Sequence, residues 1–188
     1  MGNKIFIIDM CLDKCNFIII IDNCIYKKIS ININRNLTDV FIDILKDIFD
    51  DEIKKEDINE LYIVAGPGSF TNIKVSNIIL GLWKHINKNV EYYVLDSLSY
   101  KSLLRGISIL KEKNSSYISI YDSNNKMINE IQNLKNDEIT KIIENNPNID
   151  ITYINDINLT DDQIISVLRF FKKIDLDKYE PQYYKIAW

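Results

Sequence analysis

The chain has 188 residues, 46% of them hydrophobic and 27% charged, with a formal net charge of −4. That mix describes one generous globular domain or two small lobes, and it excludes both a disordered chain and a membrane bundle. The acidic balance, with lysines only in isolated pairs such as Lys27-Lys28, Lys54-Lys55 and Lys172-Lys173, excludes a self-sufficient RNA-binding stripe.

Three β-rich runs open the chain, at residues 4–10, 17–21 and 25–33, separated by Asp13-Lys14 and Asp22-Asn23. Such short polar breaks predict hairpins and an antiparallel start. A helix follows over 39–50, with Thr38 as its N-cap. The apolar run 61–65 reads as a buried strand ending at Gly66-Pro67-Gly68. A second long helix is expected over 72–87, a strand over 92–95, and a helix over 98–111 capped by Ser97. The second half reads as a shortened echo. Strands at 117–121 and 127–131 flank the turn Asp122-Ser123-Asn124-Asn125; a short helix covers 137–145, and a strand 149–154. The last helix opens on the capping box Thr160-Asp161-Asp162-Gln163 and is expected to bury Ile164, Val167, Leu168, Phe171 and Ile174. The expectation is a two-lobed α/β fold, residues 1–97 forming the first lobe and 98–188 a shorter second one.

Glycine is scarce, five in the whole chain beside three prolines, so most loops turn on other residues and each glycine kept asks for a reason. The dominance of isoleucine and asparagine, and of Lys over Arg, is a base-composition signature and carries no functional weight. Cys11, Cys15 and Cys24 cannot all pair within the chain, and residues 1–4 run directly into a strand pattern without a signal peptide. The three are therefore expected to be reduced cytoplasmic thiols. The single histidine, His85, excludes a histidine-clustered metal site and a histidine triad with a credible nucleophile elbow.

Phosphate binding needs closely spaced glycines, and Gly66, Pro67, Gly68, Ser69, Phe70 and Thr71 form the one candidate loop, between a strand and a helix N-terminus. It matches neither G-x-x-x-x-G-K-[ST] nor G-x-G-x-x-G. The alternative is a tight turn, with Pro67 fixing φ, Gly68 permitting a positive φ, and Ser69 or Thr71 capping the helix.

The two long helices carry more apolar surface than one sheet can cover. On the second, Val75, Ile78, Ile79, Leu82 and Ile86 fall within about 100° of arc and are expected to face the sheet. A separate line of Ile73, Ser76, Leu80, Trp83 and Asn87 has coiled-coil spacing. On the first, Leu37, Val40, Phe41, Ile42, Ile44, Leu45, Ile48 and Phe49 spread over about 200°. The partner-facing residues are accordingly expected to be Phe41, Leu45, Ile73, Ser76, Leu80 and Trp83.

The Gly66–Thr71 segment, with Asp57-Ile58-Asn59 before it, Lys74-Val75 after it and Asp96-Ser97-Leu98 at the lobe junction, resembles the TsaB (YeaZ) family. These are accessory subunits of the bacterial complex that makes threonylcarbamoyladenosine in tRNA. The resemblance extends to Ile8-Asp9 and to Glu180-Pro181-Gln182-Tyr183-Tyr184-Lys185. It departs where the family has Thr, Gly, Arg and His and this chain has Met10, Asn72, Lys74 and Leu37, and where an Asp-Ala-Arg survives only as Asp122 with Asn124. The resemblance implies a degenerate actin/hexokinase/Hsp70-like fold. It implies pairing through the first-lobe helices with the catalytic paralogue TsaD, regulation with the ATPase TsaE, and contact with tRNA only through the complex. It implies a cytoplasmic, non-catalytic subunit that binds no cofactor alone, with ATP or ADP as a candidate ligand at the complex interface, and a homodimer when the partner is missing. The competing class is a small nucleotide-dependent phosphotransferase or ATPase using Asp9, the candidate nucleotide contact, and the 66–71 loop. An older peptidase label in the family is disfavoured by the single histidine.

Overall fold

The computed structural model describes residues 2–32 and 37–181, with the side chains of 37–40 left aside. Two compact units emerge: the first runs to Leu95 and takes back the chain from Leu168, and the second is Asp96–Val167. The division at 97/98 expected from sequence lies beside the first of these boundaries; the return at Leu168 has no counterpart in it.

In the first unit, β1 (Lys4–Asp9), β2 (Lys14–Ile21) and β3 (Cys24–Asn32) form an antiparallel meander. β4 (Glu60–Val64) and β5 (Glu91–Leu95) extend it in parallel on the other side of β1, and β10 (Lys172–Ile174) closes the edge antiparallel to β5. The sheet order is β10-β5-β4-β1-β2-β3. Alternation sorts the side chains. Phe6 and Ile8 of β1, Phe17 and Ile19 of β2, and Leu61 and Ile63 of β4 share one apolar core with Ile44 and Ile48 of α1 (Leu37–Ile48) and Ile79, Leu80 and Trp83 of α2 (Phe70–Ile86). Phe6, Phe49 and Trp83 meet pairwise at ring-centroid distances of 5.2, 5.4 and 5.8 Å. The helices thus cover the same face of the sheet. The expected Thr38 cap and the contributions of Leu37 and Val40 lie outside the described side chains, as residues 182–185 lie outside the described chain.

The second unit is a four-stranded mixed sheet, β8-β7-β6-β9, built from β6 (Ile107–Lys111), β7 (Ser115–Ile120), β8 (Gln132–Lys135) and β9 (Ile151–Tyr153). α3 (Ser97–Ser102), α4 (Asn136–Glu144) and α5 (Asp161–Val167) accompany it. Ile107, Ile109 and Ile118 pack with Ile139 of α4.

Three expectations fail here. The helix over 98–111 is a six-residue helix and then a central strand. Leu103 and Leu104 take left-handed φ values of 57° and 55°, and at Gly106 (φ 59°) a Cβ would overlap the Asp150 carbonyl oxygen. The apolar spacing of 107–110 suits a two-sided buried strand as well as a helix, and periodicity alone does not separate them. The strand at 127–131 is reduced to a single bridge between Tyr121 and Met127, and the pairing strand is β8. The final helix stops at Val167. A 3-10 turn, Leu168–Phe170, then carries the chain through Phe171, which lies edge-on to Tyr62 at 4.9 Å, into β10. Its capping box does form, since Gln163 N–H donates to Thr160 Oγ1 at 3.3 Å and Thr160 N–H to Gln163 Oε1 at 2.9 Å.

Candidate functional site

The residues after β1 fasten the glycine loop. The Cys11 thiol donates to the Val64 carbonyl at 3.0 Å and accepts the Gly66 N–H at 3.0 Å, while the Cys11 carbonyl accepts the Ser69 N–H at 2.7 Å. Gly66 has φ 92°, and a Cβ on Gly68 would overlap the Cys11 carbonyl oxygen. A phosphate cradle works by presenting free N–H groups. Here two of them, at either side of Pro67-Gly68, are spent within the chain, so the turn reading is the one the geometry carries. Ser69 is the residue before α2, yet neither it nor Thr71 caps: Ser69 makes no side-chain cap bond and Thr71 lies exposed inside the helix. Phe70 begins α2 with Lys74 Nζ 4.3 Å above its ring.

Asp9 ends β1 on the sheet face opposite the helices. It is fully buried, and its Oδ2 accepts from Asn16 Nδ2 at 3.0 Å, whose Oδ1 accepts the Ser30 hydroxyl at 2.8 Å. These three residues sit opposite one another across β1, β2 and β3. The candidate nucleotide carboxylate is therefore tied into a polar rung of the sheet. Met10 is buried in the helix-side core, and Asn72 is buried in the first turn of α2, its carbonyl accepting from Ser76 Oγ.

The helix faces depart from the sequence assignment in part: of the stripe expected to face the sheet, Ile79 is in the core with Val75 and Ile86 packed against it, whereas Ile78 and Leu82 point outward. Ile73, Ser76, Leu80 and Trp83 are inside, Leu80 and Trp83 each 1% exposed, and Phe41 and Leu45 of α1 are half-buried against the same core. The most exposed apolar residues of the two helices are Ile42 at 58%, Ile78 at 60% and Leu82 at 58%. The physical reason is size. Trp83 fills the space beside Phe6 and Phe49, and the smaller Ser76 and Asn72 are buried on the same helix. Counting apolar positions weighted Ile78 and Leu82 equally with Leu80 and Trp83; residue volume was the signal that separates the two lines.

In the second unit, a cluster that sequence reading missed surrounds the start of α3. Asp96, not Ser97, is its cap: Asp96 Oδ1 accepts the Ser99 N–H at 2.8 Å, and Oδ2 the Ser99 hydroxyl at 2.5 Å. Ser99 Oγ lies 2.9 Å from the Tyr121 hydroxyl, which also receives the Ser119 hydroxyl at 2.7 Å. Burial pushes the Asp96 carboxyl up, and the hydrogen bonds from Ser99 oppose it. Burial and the nearby Asp96 charge push the Tyr121 phenol up. The D-x-x-S spacing at Asp96 was the available signal. Asp122 and Asn124 form an Asx turn, in which Asp122 Oδ1 accepts the N–H groups of Asn124 and Lys126.

His85 is exposed on α2. Cys11 and Cys15 are buried, Cys24 is exposed, and none of the three is in a disulfide. Among the described residues, no three His, Cys, Asp or Glu side chains gather as a metal site, and no helix is long and apolar enough to cross a membrane.

No family model matches the chain. It is 32% identical over 95 residues to the uncharacterized protein MG208 of Mycoplasma genitalium, covering 48% of each, and 29% identical over 97 residues to the MG208 homolog of Mycoplasma pneumoniae, covering 49% of this chain and 50% of that one. The chain spans about half the length of the curated relatives it matches. The fold matches YeaZ from Pseudomonas aeruginosa with a TM-score of 0.76 at 10% identity, over 96% of this chain and 99% of that one. It also matches a structure described as an uncharacterized protein with similarity to peptidase YeaZ from the same organism, with a TM-score of 0.74 at 10% identity over 97% and 100%. Two mixed sheets flanked by helices are the fold the chain shares with YeaZ.

Proposed function

We propose that this chain is a TsaB-like accessory subunit with a degenerate actin/hexokinase/Hsp70-like fold. It pairs with a TsaD-like threonylcarbamoyltransferase in the cytoplasm, for N6-threonylcarbamoyladenosine modification of tRNA. The observation that carries this reading is the uncovered apolar surface of α1 and α2, namely Ile42, Ile78 and Leu82, on a fold shared with YeaZ along nearly its whole length. Exposed aliphatic side chains on adjacent helices are the kind of surface a partner subunit would cover. The chain itself is non-catalytic in this reading, a TsaE-like ATPase acts on the assembly, and tRNA and any ATP or ADP are held by the complex.

The phosphotransferase alternative is weakened by the internal use of the Gly66 and Ser69 N–H groups and by the burial of Asp9 against Asn16. The test is co-expression with the TsaD-like protein of the same genome. Stable co-purification that is lost on Ile78→Asp with Leu82→Asp supports the proposal. Retention of the partner by the double variant, or nucleotide turnover by the isolated chain that Asp9→Ala abolishes, overturns it.

A further inference from the structure

Among the described residues four strands stand at sheet edges, and three of them are blunted. β8 has four residues, β9 three, and β10 three, two of them lysines. Short strands and lysines keep an open edge from pairing with another chain. β3 is the exception. It is nine residues long, no described strand pairs with its outer side, and its one irregularity lies opposite Ile19 and Ile20, toward the hairpin turn. In that first half Lys27 pairs with Asp50 at 3.3 Å and the Tyr26 hydroxyl donates to Glu52 at 2.9 Å. From Ile29 to Asn32 the edge carries no charge, proline or bulge.

We infer that this half of β3 pairs with the same half of a second copy of the chain, antiparallel about a two-fold axis at Ser30. Residues opposite each other across an antiparallel pair share a face, and this register alone matches both faces. It sets Ile29 opposite Ile31 of the second copy, twice over, and both isoleucines are only partly buried against the helix-side core. On the other face it sets Lys28 opposite Asn32, and Ser30 opposite Ser30. There the polar rung of Asp9, Asn16 and Ser30, which runs out to the edge at the exposed Ser30, meets its own image. An axis at Lys28 would oppose two lysines, one at Ile29 would set Lys27 against Ile31, and one at Ile31 would leave Ile29 opposite a residue beyond the strand. An axis between two residues would set core-side positions of one copy against solvent-side positions of the other. The seam draws on none of Ile42, Ile78 and Leu82, so it stands apart from the proposed pairing with a TsaD-like subunit.

Sedimentation of the full chain over a concentration series should show a monomer–dimer equilibrium in the micromolar range, as a small seam gives. Ile29→Lys with Ile31→Lys sets like charges opposite each other and should weaken the dimer by about tenfold or more. Ile29→Lys with Ile31→Glu sets opposite charges in the same register and should restore most of it. Both double variants place two charges at the same partly buried positions, and matched melting temperatures make the comparison one of association. Ile78→Asp with Leu82→Asp should leave the dimer unchanged. As a second measure that leaves both isoleucines in place, Ser30→Cys in a Cys24→Ser background should form a disulfide between copies under mild oxidation, and Tyr26→Cys in the same background should not. A wild type that sediments as a monomer throughout, a dimer indifferent to the sign of the charge at position 31, a dimer lost in the helix-face variant, or equal cross-linking at 26 and 30 overturns the inference. Co-purification with the TsaD-like subunit is decided independently of every one of these outcomes.

Discussion

The Gly66 N–H is received by the Cys11 thiol at 3.0 Å, and the same thiol donates to Val64 at the end of β4. One buried residue thus joins the segment after β1 to both ends of the bend that launches α2, its thiol at Val64 and Gly66 and its carbonyl at Ser69. Cys11→Ala strands a buried N–H and a carbonyl, at a cost of about 1–3 kcal/mol. Cys11→Ser keeps a donor and an acceptor there and should fall between the wild type and the alanine variant. Denaturant midpoints at constant m-value measure the order, and an alanine variant as stable as the wild type would remove the thiol from this role.

Gly68→Ala is the sharper probe of the same bend. The new methyl would overlap the Cys11 carbonyl oxygen, which itself receives the Ser69 N–H. Backbone must move, and a loss of about 2 kcal/mol or more is expected, at the upper end of single-residue effects. A melting temperature unchanged from the wild type would mean the loop has room that the structure denies it.

The two lines of α2 respond oppositely to charge. Leu80→Asp or Trp83→Asp buries a carboxylate among Phe6, Ile8 and Phe49 and should unfold the first unit, at a cost above about 3 kcal/mol. Ile78→Asp and Leu82→Asp change stability by about 0.5 kcal/mol or less, as exposed positions do, and act on association. Circular dichroism melts of the four single variants separate the groups. Equal melting temperatures across all four would contradict the inward placement of Trp83.

Asp96 sets a pH dependence of defined sign. Its pKa in the fold is raised by burial, so the fold favours the protonated carboxyl. That contribution is complete below the ordinary carboxylate range and is lost as pH rises through the raised value. Asp96→Asn removes the titration, so the stability difference between variant and wild type should shift in favour of the variant as pH rises from about 4 toward neutrality. Asp96→Ala loses the cap at every pH, at a cost of about 1–2 kcal/mol. A wild type and an Asp96→Asn variant with parallel stability profiles over that range would refute the assignment.

The hairpin start, the strand before Gly66 and the long helix after it were readable because each has one strong period and a polar break at its ends. So was the Thr160 capping box, which is purely local. What escaped was non-local. Nothing in the spacing of Ile107, Ile109 and Leu110 tells that two strands flank them, nor that Lys172–Ile174 would pair with β5. The orientation of α2 escaped for another reason, since both its faces are apolar and only the bulk of Trp83 and the smallness of Ser76 distinguish inside from outside. The loop residues 66–71 were found, but the partner that occupies their N–H groups was not, because Cys11 looked like an inert thiol.

The pairing of β10 with β5 carries a consequence for how the protein is made. On the ribosome, β5 emerges with one side unpaired and stays so until all of Asp96–Val167 has been synthesised. For that interval the nascent first unit offers an open strand edge of the kind that recruits other chains. Lys172, Lys173 and Ile174 end that exposure, and Lys173 fixes the closure through its ion pair with Glu91 at 2.5 Å. A chain released before Lys172 would therefore carry nearly every helix and strand described above and still be sticky.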